Sequence, residues 1–164
     1  MEIGGQWDTI SKVVEEAFNS CLHCAMATVN DDGAPHVTPI GSVILRDDGT
    51  GFYFEEFLST TSKNLERNKR VCVLAVNSDK KFWFESLLSG EFTSPPAVRI
   101  MGVVGEKRKA TEQEIAQWQK KVQAASQLKG YEILWKNMST VRDIYFDSFE
   151  PVYTGSMTGN LWED

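Results

Sequence analysis

The chain has 164 residues, 41% of them hydrophobic and 24% charged, which suits one soluble domain whose core needs no covalent staple. Its net charge of −6, from 17 basic and 23 acidic residues without a basic stripe, argues against nucleic-acid binding. No apolar run approaches the length of a membrane span, and Met1-Glu2-Ile3-Gly4-Gly5 lacks the basic and apolar regions of a secretory leader.

The first element reads as a helix, with Ile10, Val13, Val14, Ala17 and Phe18 at helical spacing and Asp8 as the expected cap. From Cys24 the period changes. Ala25 to Val29 reads as a strand, Asn30-Asp31-Asp32-Gly33 as a turn, and His36 to Ile40 as a second strand that runs on toward Val43-Ile44-Leu45. Pro39 has no ladder donor to give, so this stretch belongs at an edge, a bulge or a ligand contact. A second turn, Arg46 to Thr50, leads into the apolar strand Gly51-Phe52-Tyr53-Phe54. Three strands joined by tight turns predict an antiparallel meander that curls into a barrel.

Ser59-Thr60-Thr61-Ser62-Lys63 follows, then a short polar helix ending near Asn68 and a strand from Arg70 to Val76. Four hydroxyls and a cation at a helix start have the makings of a phosphate cradle, because free amides, alcohols and an ammonium all favour a dianion. An ordinary N-cap is the plainer explanation of any one of them. Glu55 and Glu56, just before, read as solvated strand-end carboxylates; they oppose an anion unless both point away.

Residues 77–97 read as irregular apart from an aromatic patch, Phe82-Trp83-Phe84 with Leu87 and Leu88, which suits a core plug, a subunit interface or a ligand wall. Ala97 to Val104 reads as a strand, and Thr111 with Glu114 as a capping box. Ile115, Trp118, Val122 and Ala125 mark the buried stripe of a helix ending by Gly130. Tyr131 to Met138 suits a short helix and Val141 to Phe149 a final strand, before a tail rich in Gly, Ser and Thr that contains Trp162.

Cys21-Leu22-His23-Cys24 has redox spacing, but it ends a helix and enters a strand, whereas a redox pair opens a helix. With only Cys72 and His36 left as soft ligands, no structural zinc site is expected. Cys72, in an apolar strand, reads as a small core residue. Three cysteines, an odd number, form no disulfide framework, so the expected location is the cytoplasm. His23 and His36 suggest no triad, no Gly-x-Ser-x-Gly elbow is present, and Gly102 and Gly105 do not make a dinucleotide fingerprint. No catalytic side chain is assigned.

Taken in order, these segments resemble the pyridoxamine 5′-phosphate oxidase-like family. The resemblance is best from Ala25 to Val76, where Ala27-Thr28-Val29-Asn30-Asp31-Asp32-Gly33 and Pro35-His36-Val37-Thr38-Pro39-Ile40 lead to Ser59-Thr60-Thr61-Ser62-Lys63, with a second match at Val98-Arg99-Ile100-Met101-Gly102. It implies a mainly β, α+β fold: a six-stranded antiparallel split β-barrel of the FMN-binding type with flanking helices, residues 1–164 forming a single domain. It also implies an oxidoreductase acting on a small molecule, working as a homodimer with flavin sites at the subunit interface. Carried onto this sequence, Ser59, Thr60, Thr61, Ser62 and Lys63 contact the phosphate. Thr38, Pro39 and Ile40 contact the ring edge, and Phe54 and Glu55 flank the ring. The aromatic patch around Trp83 or the tail with Trp162 is the expected contribution of the partner subunit. The deazaflavin F420 is an alternative to FMN, and a non-catalytic flavin-, F420- or haem-binding role is the alternative to catalysis. Two departures stand out. Many relatives carry a Lys or Arg where Thr60 and Thr61 stand, and the tail lacks the basic ending of the vitamin B6 oxidases, which argues against pyridoxamine phosphate as substrate.

Overall fold

Helix α1 (Trp7–Cys21) lays Ile10, Val13, Val14 and Ala17 against the sheet, the stripe that its spacing predicts. It begins one residue before Asp8, which therefore sits in the first turn, where its charge suits the helix dipole, rather than at the cap. The helix ends on Leu22, whose left-handed backbone (φ 65°) lets its amide close on the Phe18 carbonyl at 2.8 Å. The chain then turns straight into β1 (Cys24–Val29). The computed structural model describes residues 1, 3–159 and 161–162. Glu2 of the N-terminal stretch and Asn160, Glu163 and Asp164 of the C-terminal tail lie outside the described residues.

After β2 (Pro35–Ile40) come the two-residue β3 (Ile44–Leu45), β4 (Thr50–Phe54), helix α2 (Ser59–Arg67), β5 (Arg70–Val76), helix α3 (Lys80–Ser89) and β6 (Ala97–Val104). The two-residue β7 (Arg108–Lys109), helices α4 (Glu112–Val122) and α5 (Lys129–Leu134), and the twelve-residue β8 (Thr140–Pro151) complete the chain. All pairings are antiparallel, in the order β2-β1-β5-β6-β8-β4-β3, with β7 on β8. The six longer strands form the barrel wall.

Curling is forced by connectivity. The two sheet edges, β2 and β3, are separated by only Gly41, Ser42 and Val43, so the sheet must bend until its ends meet. Among the described residues no ladder crosses the gap there; Ser42 Oγ accepts from the Phe54 amide at 3.0 Å and lies 3.3 Å from the Phe54 carbonyl, to which it donates. This is the split of a split barrel. A bulge at Met101/Gly102 bends β6 over β8, and a Cβ at Gly102 would stand 2.4 Å from the Tyr145 carbonyl oxygen.

The core has two parts. Tyr53, Met26, Val73, Ile100 and Ile144 fill the barrel under α1, while Phe52 and Phe54, on the opposite face of β4, pack with Trp118, Val122 and Met138. Strand β4 is thus buried on both faces, which is why its sequence is an unbroken apolar run.

Two expectations are corrected. Residues 77–97 contain a helix, α3, whose Asp79 cap accepts from the Phe82 amide at 2.7 Å. Its large apolar residues point in several directions, so no single stripe announces it. Phe82 and Trp83 pack on Phe92, whereas Phe84, Leu87 and Leu88 are exposed. Cys72 lies on the half-buried outer face of β5, because the alternation places Val71, Val73 and Ala75 inward. Among the described residues no helix is long and apolar enough to cross a membrane.

Candidate functional site

The hydroxyl run forms the first turn of α2. Its N-cap, Leu58, offers no side-chain bond, and the first intrahelical bond from this end is Ser62 N–H to the Leu58 carbonyl at 2.9 Å. The amides of Ser59, Thr60 and Thr61 therefore precede the ladder and point out of the helix end. Helical spacing sorts the side chains. Thr61, Asn64 and Leu65 face inward, Thr60 is exposed, and Ser59, Ser62, Lys63 and Glu66 face a cleft of about 490 Å³. Glu55, Glu56, Phe57, Leu58 and Lys107 form the rest of its wall.

Helix α2 is fixed to the β1–β2 turn. Asn64 Nδ2 donates to Thr28 Oγ1 at 3.0 Å and to Asn30 Oδ1 at 2.9 Å, while Lys63 and Arg67 hold Asp31 at 3.2 and 2.7 Å. The β1–β2 turn and the start of α2 are thus tied together. The Lys63 ammonium remains largely exposed.

The carboxylates of this cleft are committed elsewhere. Glu55 has a fully buried side chain, paired with the equally buried Arg142 at 2.8 Å and with Lys107 at 3.4 Å. Its other oxygen accepts from Tyr53 at 3.2 Å, and burial followed by the Glu55 charge pushes the Tyr53 hydroxyl well above its ordinary range. Arg142 also holds Glu66, whose carboxyl it draws down through their hydrogen bond, and donates to the Gly105 carbonyl at 3.1 Å. Glu56 turns one oxygen to the amides of Ser139 and Thr140. Neither Glu55 nor Glu56 is the solvated strand-end carboxylate that the sequence suggests. With Lys63, Lys107 and Arg142 against Glu55, Glu56 and Glu66, the charges around the cleft balance.

Phe57 and Leu58 lead into a second, apolar cleft of about 160 Å³, whose wall includes Pro39, Ile40, Phe54, Trp118, Trp135 and Met138. Pro39 lies on β2, which pairs with β1 alone, so the proline is at a sheet edge as its chemistry requires. Thr38 is half-buried one residue earlier and lines neither cleft. Phe54 is buried against Trp118, with ring centroids 5.8 Å apart, and closes the back of the cleft. Of the residues expected at the site, Pro39, Ile40 and Phe54 gather in the apolar cleft, and Glu55, Ser59, Ser62 and Lys63 in the polar one. Trp83 and Trp162 line neither; Trp162 packs on Phe149 inside its own chain.

Sequence reasoning missed Arg142, Lys107, Glu56, Trp118 and Trp135 as site residues. Arg142 stands beside Asp143 in an alternating strand, so nothing local marks it as a buried cation with distant carboxylate partners.

A tricyclic ring with a phosphate-bearing polyol chain matches the chemistry of these clefts: apolar walls, then an acceptor, then hydroxyls, amides and ammonium groups. Glu56 Oε2 is the acceptor, being buried and, among the described residues, without a partner. The Cys21-Leu22-His23-Cys24 segment lies away from both clefts' walls, and burial pushes the Cys24 thiol up to about 12, far from a reactive thiolate.

A curled antiparallel sheet with an unladdered seam and helices on its outside defines the FMN-binding split-barrel class. The chain belongs to the pyridoxamine 5′-phosphate oxidase family, whose model matches residues 10–145. The structure is similar to an FMN-binding protein from Syntrophomonas wolfei (TM-score 0.62, 12% identity, 91% of this chain and 89% of the other covered). It is also similar to the heme storage protein HutZ from Vibrio cholerae (TM-score 0.54, 16% identity, 87% and 94%) and to an F420 reductase (TM-score 0.54, 15% identity, 83% and 94%). No curated protein sequence matches the chain.

Proposed function

We propose that the protein, over residues 1–164, is one FMN-binding unit that works as a homodimer and passes hydride or electrons between the flavin and a small planar or conjugated molecule. The observation that carries this reading is the continuity of the apolar cleft with the polar cleft at the open start of α2, through Phe57 and Leu58. In this reading Ser59, Ser62 and Lys63 hold the phosphate by their side chains, and Thr60 and Thr61 by their amides. Glu56 Oε2 accepts from the polyol chain. Pro39 and Ile40 bound the ring, the Thr38 backbone approaches its edge, and Phe54 with Glu55 forms the floor.

A bound flavin supplies hydride and single-electron transfer; the protein's task is to orient the ring and keep water from it. Phe57, Leu58 and Trp135 serve the second purpose. The Arg142–Glu55 pair keeps a buried negative charge from opposing the phosphate.

An apolar cleft of about 160 Å³ is small for a tricyclic ring, which supports completion of the site by a second copy. The exposed face of Phe84, Leu87 and Leu88 on α3 is suited to a subunit contact.

The test is an absorbance spectrum of the purified protein, followed by titration with FMN. A yellow protein, or a colourless one that takes up FMN stoichiometrically, is expected. A colourless protein that gains no flavin absorbance overturns the reading.

A second reading, non-catalytic storage or sensing of flavin, F420 or haem, is favoured by the fact that Glu55 and Glu66 are already committed to Arg142. For haem the imidazoles are the exposed His23, whose Nδ1 lies 2.8 Å from the Cys21 carbonyl oxygen, and the half-buried His36. Reduction of the bound ligand by a nicotinamide donor and reoxidation by an acceptor separate catalysis from storage. The ligand's own absorbance separates FMN, F420 and haem.

A further inference from the structure

Beyond Trp118 and Trp135, on the side away from Phe57 and Leu58, lies a separate pocket of about 150 Å³ bounded by Phe18, Leu22, Trp118, Lys121, Val122 and Trp135. It shares Gly41 and the two tryptophans with the apolar cleft but is otherwise its own space. Among the described residues, Lys121 is the only charged one in its wall. The Lys121 ammonium lies 3.9 Å from the centroid of the Phe18 ring, and no described carboxylate stands within ion-pair distance of it. Lys121 also borders an adjoining open groove walled by Glu15, Asn19 and Lys120, which gives a route in from solvent.

The chemistry of the missing partner follows from size and charge. A dry apolar cavity near 150 Å³ accepts about one benzene-sized ring. Trp118 and Trp135 stand edge to face, centroids 6.2 Å apart and planes at 88°, so one ring can meet a flat wall and an edge together. An ammonium beside aromatic walls recovers through the cation–π contact part of what it loses in hydration, but lacks a counter-ion. Burial lowers the Lys121 pKa against the opposing fields of Cys24 and Glu15, and an anion in the pocket would restore it.

We propose that this pocket binds a small one-ring carboxylate of the benzoate class, its carboxylate on Lys121 and its ring against Trp118 and Trp135. The proposal rests on the pocket alone and stands whether or not the neighbouring clefts hold a flavin.

The test is titration of the full chain with benzoate, followed by tryptophan fluorescence and calorimetry, beside benzyl alcohol, benzylamine and acetate. Benzoate is expected to saturate one site, with benzyl alcohol about tenfold or more weaker, the worth of one charge-assisted hydrogen bond. Benzylamine and acetate are expected not to bind. Lys121→Met should remove the preference for benzoate over benzyl alcohol while Lys121→Arg keeps it, and Ala125→Phe, at the pocket wall, should block both ligands. Equal affinity for benzoate and benzyl alcohol, absence of saturable benzoate binding, or unchanged benzoate affinity in folded Lys121→Met overturns the proposal. The wild-type ligand series decides the matter even if a variant fails to fold.

Discussion

Ser62 and Lys63 follow Thr61 directly, yet the three side chains have different fates: two face the polar cleft and one is buried. Removing both cleft groups by Ser62→Ala/Lys63→Ala should weaken FMN binding about 10- to 100-fold, from loss of about 1.5–3 kcal/mol of charge-assisted hydrogen bonding. Flavin fluorescence quenching measures this, and an unchanged dissociation constant would remove both residues from the cradle. Arg142 is a second residue whose neighbourhood dictates its effect. Arg142→Met leaves the fully buried Glu55 with only the half-exposed Lys107 as a cation, and should cost about 3–5 kcal/mol in urea unfolding. Adding Glu55→Gln should recover part of that loss, and a double variant no more stable than the single one would contradict the pairing. That the hydroxyl run opens a helix was legible from residue type alone. Arg142 was not, because its partners stand 87 and 76 positions away, and no local pattern marks a long-range ion pair.

At the scale of elements, α4 is fastened to the barrel by charge. Thr111 and Glu114 form the expected capping box, and Glu114 also pairs with Arg46 and Arg108, each at 2.7 Å, which in turn hold Asp143 of β8 at 2.8 and 2.7 Å. The Arg108 hydrogen bond is the main cause that draws the Glu114 carboxyl from 4.5 to about 2, and it lowers Asp143 as well. A carboxyl depressed in the folded state contributes stability that is complete above its unfolded value and lost as pH falls through its folded one. Stability should therefore decline from about pH 4.5 toward pH 2, and Arg108→Met should flatten that decline. Urea midpoints across the range measure it, and an identical slope in the variant would place the acid sensitivity elsewhere. Elements with a single clean period, α1, β1, β5 and α4, were readable in the sequence because one face of each meets one core. Helix α3 was hidden because Phe82 and Trp83 pack inward while Phe84, Leu87 and Leu88 face out, which erases the stripe. Strand β8 runs longer than its apolar stretch because it pairs with β4, β6 and β7 in turn along its length.

For the whole molecule, the antiparallel curl was legible from turn chemistry and apolar runs, but the expected meander is broken: the second strand stops at Ile40, its continuation β3 pairs with β4 at the opposite sheet edge, and β8 enters between β6 and β4 from far along the chain. The assembly proposed above makes a plain demand. Leu88, 78% exposed on α3, should carry a subunit contact, so Leu88→Glu should shift the protein from dimer to monomer in light scattering. A dimer that survives the substitution would free this face from that role. One consequence remains in the way the cylinder is fastened. Elsewhere neighbouring strands are laced by rows of amides, but where the first edge meets the last a lone alcohol, Ser42, acts as the clasp, beside the mouth of the apolar cleft. Ser42→Ala should speed deuterium uptake at the Phe54 amide ahead of the rest of the sheet, and occupancy of the adjacent cleft should slow it again.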